Sequence, residues 1–207
     1  MIDRAELKAR ARQMMSGNLG MLIVCTVIVG AIVGVCNVIP YIGSVLGICI
    51  TGPLTLGTTY IYLNLTRGYE PDVNVLFGGF QRFTDTLVLT LLIDIFVFLW
   101  SLLLVVPGII KAISYSQAYY ILAEHPEMSG REALDASVEM MDGHKMEWFV
   151  LVLSFIPWLL LGCITCGLAL LYVIPYMEAT CVNFYEAIKF PVEMNRNGNF
   201  ENSYYEV

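Results

Sequence analysis

The sequence predicts an all-α integral membrane protein with six transmembrane helices arranged as three hairpins, each preceded by a cytoplasmic amphipathic segment. Two observations support this fold class. Of the 207 residues, 57% are hydrophobic and 14% are charged, with a mean hydropathy of +0.70, so the chain is far more apolar than a soluble domain of its length. Its apolar runs, several of about 20 residues and a few shorter, supply six crossings of a bilayer core.

The N-terminal segment, residues 2–15, has apolar side chains at helical spacing and basic side chains largely on the other side. This pattern is typical of an interfacial helix. Near an anionic leaflet, each basic group contributes on the order of 1 kcal/mol to surface binding. Ordinary topology-setting charge is the simpler interpretation, and specific lipid recognition is the alternative. The basic residues of the segment are Arg4, Lys8, Arg10 and Arg12.

The first hairpin follows directly. Its first crossing, Leu19–Ile39, is uncharged, and the spacing of Gly30 and Gly34 predicts the close approach of another helix. Pro40-Tyr41 makes the turn, and Ile42–Leu63 is the second crossing. A proline within this second crossing predicts a kink.

The middle hairpin is preceded by a weaker interfacial element, residues 67–85. Thr86–Val106 is the third crossing, and Pro107-Gly108 is the predicted turn after it. The fourth crossing, Ile109–Leu122, is unusually polar. Polar side chains inside a span usually face the interior of the bundle, so we expect this helix to be buried.

The last hairpin begins with a third amphipathic helix. Ser129-Gly130-Arg131-Glu132 is a capping box, which predicts the start of that helix. The fifth and sixth crossings are Trp148–Leu161 and Leu168–Ile188. Pro157 and Pro175 lie inside these crossings and predict kinks.

Basic residues predict the orientation. With both termini in the cytoplasm, ten of the eleven Lys and Arg residues lie on the cytoplasmic side and only Lys111 does not, which satisfies the positive-inside rule and requires an even number of crossings. Residues 1–190 then form one polytopic domain, and residues 191–207 form a polar cytoplasmic tail with the composition of a disordered segment.

An internal repeat is one interpretation of the first and last hairpins. In both, an amphipathic segment ends in Met-Met-x-Gly and a proline-containing hairpin follows. Chance similarity between two apolar sequences is the other interpretation. The matched positions are Met14, Met15 and Gly17 with Met140, Met141 and Gly143, and Pro53 and Thr58 with Pro175 and Thr180.

Charges inside the membrane are the best candidates for functional residues, because each costs about 3 kcal/mol at a helix centre. Asp94 and Glu178 lie at similar predicted depths and could form a proton or cation site, with Lys111 near the outer boundary. The simpler hypothesis is that neighbouring polar groups satisfy each carboxylate and fix the packing of the helices. Those neighbours include Ser114 and Gln117.

No catalytic, cofactor or metal motif is present in the sequence. The two histidines, His125 and His144, fall in a predicted cytoplasmic loop without metal-ligand spacing. All six cysteines lie in or beside apolar runs, where cysteine usually acts as a small packing residue. Cys163 and Cys166 form a C-x-x-C that could also be a redox pair or half of a metal site, although no second pair or histidine lies nearby.

Several motifs of the second half resemble a bacterial integral-membrane family labelled domain of unknown function 975. The chain is also distantly similar to the membrane domain of some glycerophosphodiester phosphodiesterases. The resemblance implies the membrane topology and supplies no activity. The motifs are Val106-Pro107-Gly108-Ile109-Ile110-Lys111, Ile121-Leu122-Ala123-Glu124, Met140-Met141 with Gly143-His144-Lys145, and Pro175-Tyr176 with Glu178-Ala179-Thr180.

These features predict a non-enzymatic scaffold or accessory protein of the bacterial cytoplasmic membrane. It would contact membrane lipid, a protein partner or further copies of itself through its interfacial segments. The alternative is a small transporter or channel that uses Asp94 and Glu178. The formal net charge of −7 argues against nucleic acid as a partner.

Overall fold

The computed structural model describes residues 4–38, 42–165 and 167–189, which are helical without a strand. The predicted turn at Pro40-Tyr41, the residue Cys166 and the tail at 191–207 lie outside these ranges. The helices are α1 (Arg4–Met15), α2 (Leu19–Val38), α3 (Ile42–Thr66), α4 (Val73–Leu76), a 3₁₀ helix (Phe77–Arg82), α5 (Phe83–Leu103), α6 (Val105–Ser114), α7 (Ala118–Glu124), α8 (Gly130–Met140), α9 (Lys145–Leu153), α10 (Ile156–Ile164) and α11 (Leu170–Ile188).

Three segments are long and apolar enough to cross a membrane, namely Leu19–Cys36, Val73–Leu102 and Lys145–Ile164. Few of the side chains in these segments are fully buried, with shares of 11%, 17% and 22%. Large apolar side chains such as Phe98 and Leu102 are exposed on this outer surface. A continuous apolar surface of this kind is consistent with lipid as the surrounding solvent.

Helix α3 lies at the centre of the fold and contacts α2, α4, the 3₁₀ helix, α5, α7 and α11. Its close contacts depend on glycine. A Cβ at Gly57 would overlap the carbonyl oxygen of Leu76, and a Cβ at Gly79 would lie 2.9 Å from the carbonyl carbon of Pro53. The backbones of α3 and the 3₁₀ helix therefore touch directly.

The described structure shows no close helix contact at the glycine pair of the first predicted crossing. No heavy atom lies within 4 Å of a Cβ built at Gly30 or Gly34, so the described residues place no helix against that face of α2. The spacing of small residues permits close approach, but the position of the neighbouring helices decides where it occurs.

The predicted turn at Pro107-Gly108 is also wrong. The chain leaves the helix at Leu104, which is extended with φ −160° and ψ 138°, and Pro107 lies in the first turn of α6. Proline is tolerated there because its missing N–H would have no partner within the helix.

The polar fourth crossing does not form one continuous helix. It divides into α6 and α7 at Tyr115–Gln117. The fifth crossing divides too, into α9 and α10 at Ser154 and Phe155, immediately before Pro157. The kink predicted at Pro157 is therefore confirmed as a break, whereas α3 and α11 continue through their prolines.

The first and third predicted amphipathic segments bury their apolar sides in protein. Helix α1 packs against α11 through Leu7, Ala11 and Met15. Helix α8 packs against α5 and α7, and a Cβ at Gly130 would overlap the carbonyl oxygen of Asp85. The predicted capping box at Ser129 is confirmed. Neither apolar side is thus left free to lie on a lipid surface.

The two segments proposed as repeats share local geometry. Gly17 follows α1 with φ 98°, and Gly143 follows α8 with φ 81°, a left-handed conformation that favours glycine after a helix. Five residues after the proline of each helix the same bond recurs, because Thr58 and Thr180 each donate to the carbonyl four residues earlier, at 2.9 and 2.7 Å. Duplication stays a prediction that these features support.

Candidate functional site

A partly open cavity of about 490 Å³ lies between α2, α3, α7, α9 and α11. Its walls combine aliphatic, aromatic and hydroxyl side chains with one carboxylate, that of Glu178. The lining residues are Leu22, Cys25, Thr26, Val29, Gly30, Val33, Thr51, Leu54, Thr55, Thr58, Thr59, Ile61, Tyr62, Ser116, Tyr119, Tyr120, Trp148, Ile174, Glu178 and Cys181.

Glu178 lies on α11 three residues after Pro175 and is partly buried. Among the described residues, no hydrogen bond or ion pair reaches its carboxylate. A carboxylate away from bulk water normally has a charged or hydrogen-bonded partner. The position of Glu178 in a cavity wall therefore makes it the group most available to a bound molecule.

Three threonine hydroxyls of the cavity wall donate their hydrogens within their own helices. Thr26 donates to the carbonyl of Leu22 at 2.9 Å, and Thr59 donates to that of Thr55 at 2.8 Å. Thr58 makes the equivalent bond within α3. The remaining lone pairs of these oxygens can only accept hydrogen bonds. These three hydroxyls and the Glu178 carboxylate thus offer hydrogen-bond acceptors to a bound molecule.

A side chain from α8 provides hydrogen-bond partners for the backbone groups at the break between α6 and α7. The hydroxyl of Ser137 donates to the carbonyl of Ser114 at 2.8 Å and accepts from the backbone N–H of Gln117 at 3.2 Å. Both backbone groups would otherwise lack partners at the ends of the two helices. The break turns Ser116 into the cavity wall, where its hydroxyl accepts from the Gln117 amide at 2.9 Å.

Ser114 and Gln117 therefore belong to the helix break, and neither satisfies a carboxylate. The Ser114 hydroxyl donates to the carbonyl of Ile110 at 2.9 Å. The Gln117 side chain is fully buried, and within the described part of the chain its Oε1 has no hydrogen-bond partner.

The structure places Glu178 in the cavity wall and does not place Asp94 there, so the pairing of the two carboxylates suggested by their depth stays a prediction. Asp94 is exposed on α5 and is absent from the cavity wall. Lys111 does not pair with Asp94 within the described ranges, and its ammonium lies 5.6 Å from the centre of the Trp100 ring. Two side chains at the same depth in the membrane can point in any direction around their helix axes. Here Asp94 is exposed, whereas Glu178 lines the cavity.

The basic residues of α1 separate into two groups. Arg4, Arg10 and Arg12 are exposed, and Arg10 pairs with Glu6 of the same helix at 2.5 Å. Lys8 turns inward, with its ammonium 4.5 Å from the centre of the Phe155 ring, a cation–π contact. Burial lowers the pKa of Lys8, and the positive charges of Arg4 and Arg12 lower it further.

A charged clamp, formed by Arg67, Glu124, Tyr185 and Lys189, joins the ends of three helices. Glu124 accepts from the Tyr185 hydroxyl at 2.7 Å and from the Lys189 ammonium at 2.6 Å, and it also pairs with Arg67. Burial pushes the pKa of Glu124 up, but the hydrogen bonds from Lys189 and Tyr185 and the charges of Lys189 and Arg67 outweigh it, so the pKa is lowered. Sequence reasoning missed this clamp because its members lie far apart in the chain.

Arg82 was missed for the same reason. Its guanidinium donates to the carbonyls of Leu122 at 2.6 Å and Met128 at 2.5 Å, and it pairs with Asp85 at 3.1 Å. It thereby attaches the start of α5 to the loop between α7 and α8. The only signal in the sequence was a single arginine beside an apolar run.

The part of the chain that the structure describes contains neither a metal-binding cluster nor a disulfide bond. No group of three or more His, Cys, Asp or Glu side chains there could hold a metal ion. The five described cysteines are free thiols, and Cys163 is exposed. The proposed pairing of Cys163 depends on Cys166, which lies outside the described residues.

Comparison with known proteins gives one match. The family model described as "Protein of unknown function (DUF975)" matches residues 1–114 and 102–190. No curated protein and no solved structure matches the chain. The similarity to the membrane domain of glycerophosphodiester phosphodiesterases therefore stays a prediction.

Proposed function

The chain belongs to the DUF975 family, and from this premise we propose that it is a non-enzymatic membrane protein that carries or conducts a small cation. The observation behind this proposal is the Glu178 carboxylate, which faces a cavity of about 490 Å³ without a partner among the described residues. A charged group kept inside a membrane protein usually marks a substrate or ion pathway. Asp94 has no part in this proposal, because it lies outside the cavity.

The proposed topology has six crossings in three hairpins, with both termini in the bacterial cytoplasm. Beyond the three apolar segments, α3 has 25 residues and α11 has 19, which correspond to about 37 Å and about 28 Å of helix against a hydrocarbon core of about 30 Å. The charged clamp gathers the ends of α3, α7 and α11 at one end of the bundle. Arg67 and Lys189 lie at that end, which supports its assignment to the cytoplasmic side.

The test is flux into proteoliposomes under imposed gradients of H⁺, Na⁺, K⁺ and tetramethylammonium, each measured with a cation-specific dye or a radiolabel. We expect Glu178→Gln to reduce the flux of the carried cation at least tenfold. The matched control is Asp94→Asn, which neutralises a membrane carboxylate outside the cavity and should retain most of the flux. Wild-type flux in Glu178→Gln, or no cation flux in the wild-type protein, would contradict the proposal.

A scaffold or accessory role remains a second candidate. The observation that favours it is an exposed face of Phe77, Phe80 and Phe83 close to the basic end of the bundle, since aromatic side chains often anchor a protein at the membrane interface. A scaffold would keep its partner or bound lipid in Glu178→Gln. Native mass spectrometry of co-purified anionic lipid separates the two roles. For a scaffold, replacing the exposed arginines of α1 should reduce the amount of bound lipid, and replacing Glu178 should not.

A further inference from the structure

We propose that the cavity takes an amphipathic organic monocation, with an ammonium or similar onium group at Glu178 and its apolar substituents along the α2 and α3 walls. This inference rests on the proposed function and names the class of cation. It is argued from the charge, size and aromatic lining of the cavity.

The charge of the cavity wall favours a ligand with a single positive charge. Among the described residues, Glu178 is the one acidic residue of the wall, and the lining contains no Lys, Arg or His. An anion would meet a carboxylate without a counter-charge, and a neutral molecule would leave that carboxylate unpaired. A dication would bring one positive charge with no partner. One monovalent cation balances the single negative charge of the wall.

The size and polarity of the cavity favour an organic cation over a bare metal ion. Its volume of about 490 Å³ lies within the range of small-molecule sites, roughly 300–1,000 Å³. A hard metal cation needs several oxygen ligands in direct contact, whereas Val29, Val33 and Ile174 contribute apolar surface here. Such surface gains free energy by covering hydrocarbon substituents.

Aromatic rings complete the wall, and their own contacts hold them in place. Tyr120 stacks on Tyr185 with ring centres 5.1 Å apart, and Trp148 packs on Phe184 at 5.0 Å. The Tyr119 hydroxyl is fixed by Thr90 at 2.7 Å. The face of an aromatic ring attracts an onium group, and fixing the rings beforehand reduces the ordering cost of binding.

The experiment measures binding of tritiated benzyltrimethylammonium to the full-length protein in nanodiscs by scintillation proximity. The competing ligand is neopentylbenzene, which has the same shape with carbon in place of the charged nitrogen. We expect unlabelled cation to displace the probe at least tenfold more effectively than the neutral compound. Glu178→Gln should weaken probe binding at least tenfold, and Asp94→Asn should leave it unchanged.

A second variant tests the location without changing charge. Val29→Trp fills the cavity and should also abolish probe binding while the helical circular dichroism spectrum is retained. Equal competition by the neutral compound, or full binding in both Glu178→Gln and Val29→Trp, would overturn the inference.

The two proposals fail separately. Flux of Na⁺ or K⁺ that depends on Glu178, without binding of the organic probe, would refute the amphipathic monocation and leave the transport proposal standing. Probe binding that depends on Glu178, without flux of any cation, would support the ligand class and refute transport.

Discussion

Replacing Gly57 by alanine should destabilise the protein, because the new Cβ would enter the backbone contact between α3 and Leu76, the residue that joins α4 to the 3₁₀ helix. It would overlap the carbonyl oxygen of Leu76 and lie 2.6 Å from the carbonyl carbon, whereas carbon atoms in ordinary contact are about 3.5–4.0 Å apart. Relief therefore requires the two elements to separate by roughly 1 Å. Leu76 is completely buried, so this movement would disturb the surrounding core.

The expected cost is at the upper end of the overpacking range, about 3 kcal/mol, because rigid backbone lies on both sides of the contact. For a chain of this size, such a loss lowers Tm by roughly 6–12 °C. Gly79→Ala disturbs the same contact from the other side, through the carbonyl carbon of Pro53 at 2.9 Å. The double variant should lose less than the sum of the two single losses, since one separation relieves both.

The assay is thermal unfolding in detergent micelles, followed by helical circular dichroism. Gly34→Ala is the matched control, because it adds a methyl group to α2 where no heavy atom lies within 4 Å, and it should change stability by less than about 0.5 kcal/mol. If the Tm values of Gly57→Ala and Gly34→Ala lay within about 2 °C of each other, the direct contact of Gly57 with the backbone of Leu76 would be refuted.

Two further predictions concern the polar contacts that hold the bundle together. Glu124→Gln should cost about 2–4 kcal/mol, because it removes a buried carboxylate from Arg67 and Lys189, whereas Glu139→Gln, at an exposed position of α8, should cost little in the same melting assay. The pKa of Glu124 is lowered on folding, so the ionised carboxylate stabilises the folded protein above the ordinary pKa of 4.5, and this stabilisation is lost as pH falls through the lowered pKa. If Glu124→Gln lost as much stability on acidification as the wild-type protein, this assignment would be contradicted. Ser137→Ala should cost about 1–3 kcal/mol, because it leaves buried backbone groups at the α6–α7 break without a partner, and it should be compared with Ser154→Ala, whose hydroxyl bonds only within its own helix turn.

The sequence predicted the helices well where the signal was local. The capping box placed the start of α8 at Ser129, and Pro157 marked the division of the fifth crossing. The local signal misled where one residue type suits two local structures. Pro107 looked like a turn but lies inside α6, because a proline in the first helical turn costs no hydrogen bond.

The candidate site was only partly predictable. Depth along a helix follows from counting residues, so the sequence alone predicted that Glu178 is an intramembrane charge. Which direction a carboxylate faces depends on how its helix is rotated against its neighbours, and this separated Glu178 from Asp94. The division of the fourth crossing depended on Ser137, a residue of another helix that satisfies the exposed backbone groups.

By itself, the sequence determined that this chain is helical, and it marked the apolar segments long enough to span a membrane, because hydrogen bonding within a helix and the transfer of apolar side chains into lipid depend on short stretches of residues. Only the tertiary structure decided which carboxylate faces a cavity, which glycines bring backbones together and which distant charges meet at Glu124. Those outcomes depend on contacts between segments far apart in the chain, and no local pattern specifies them.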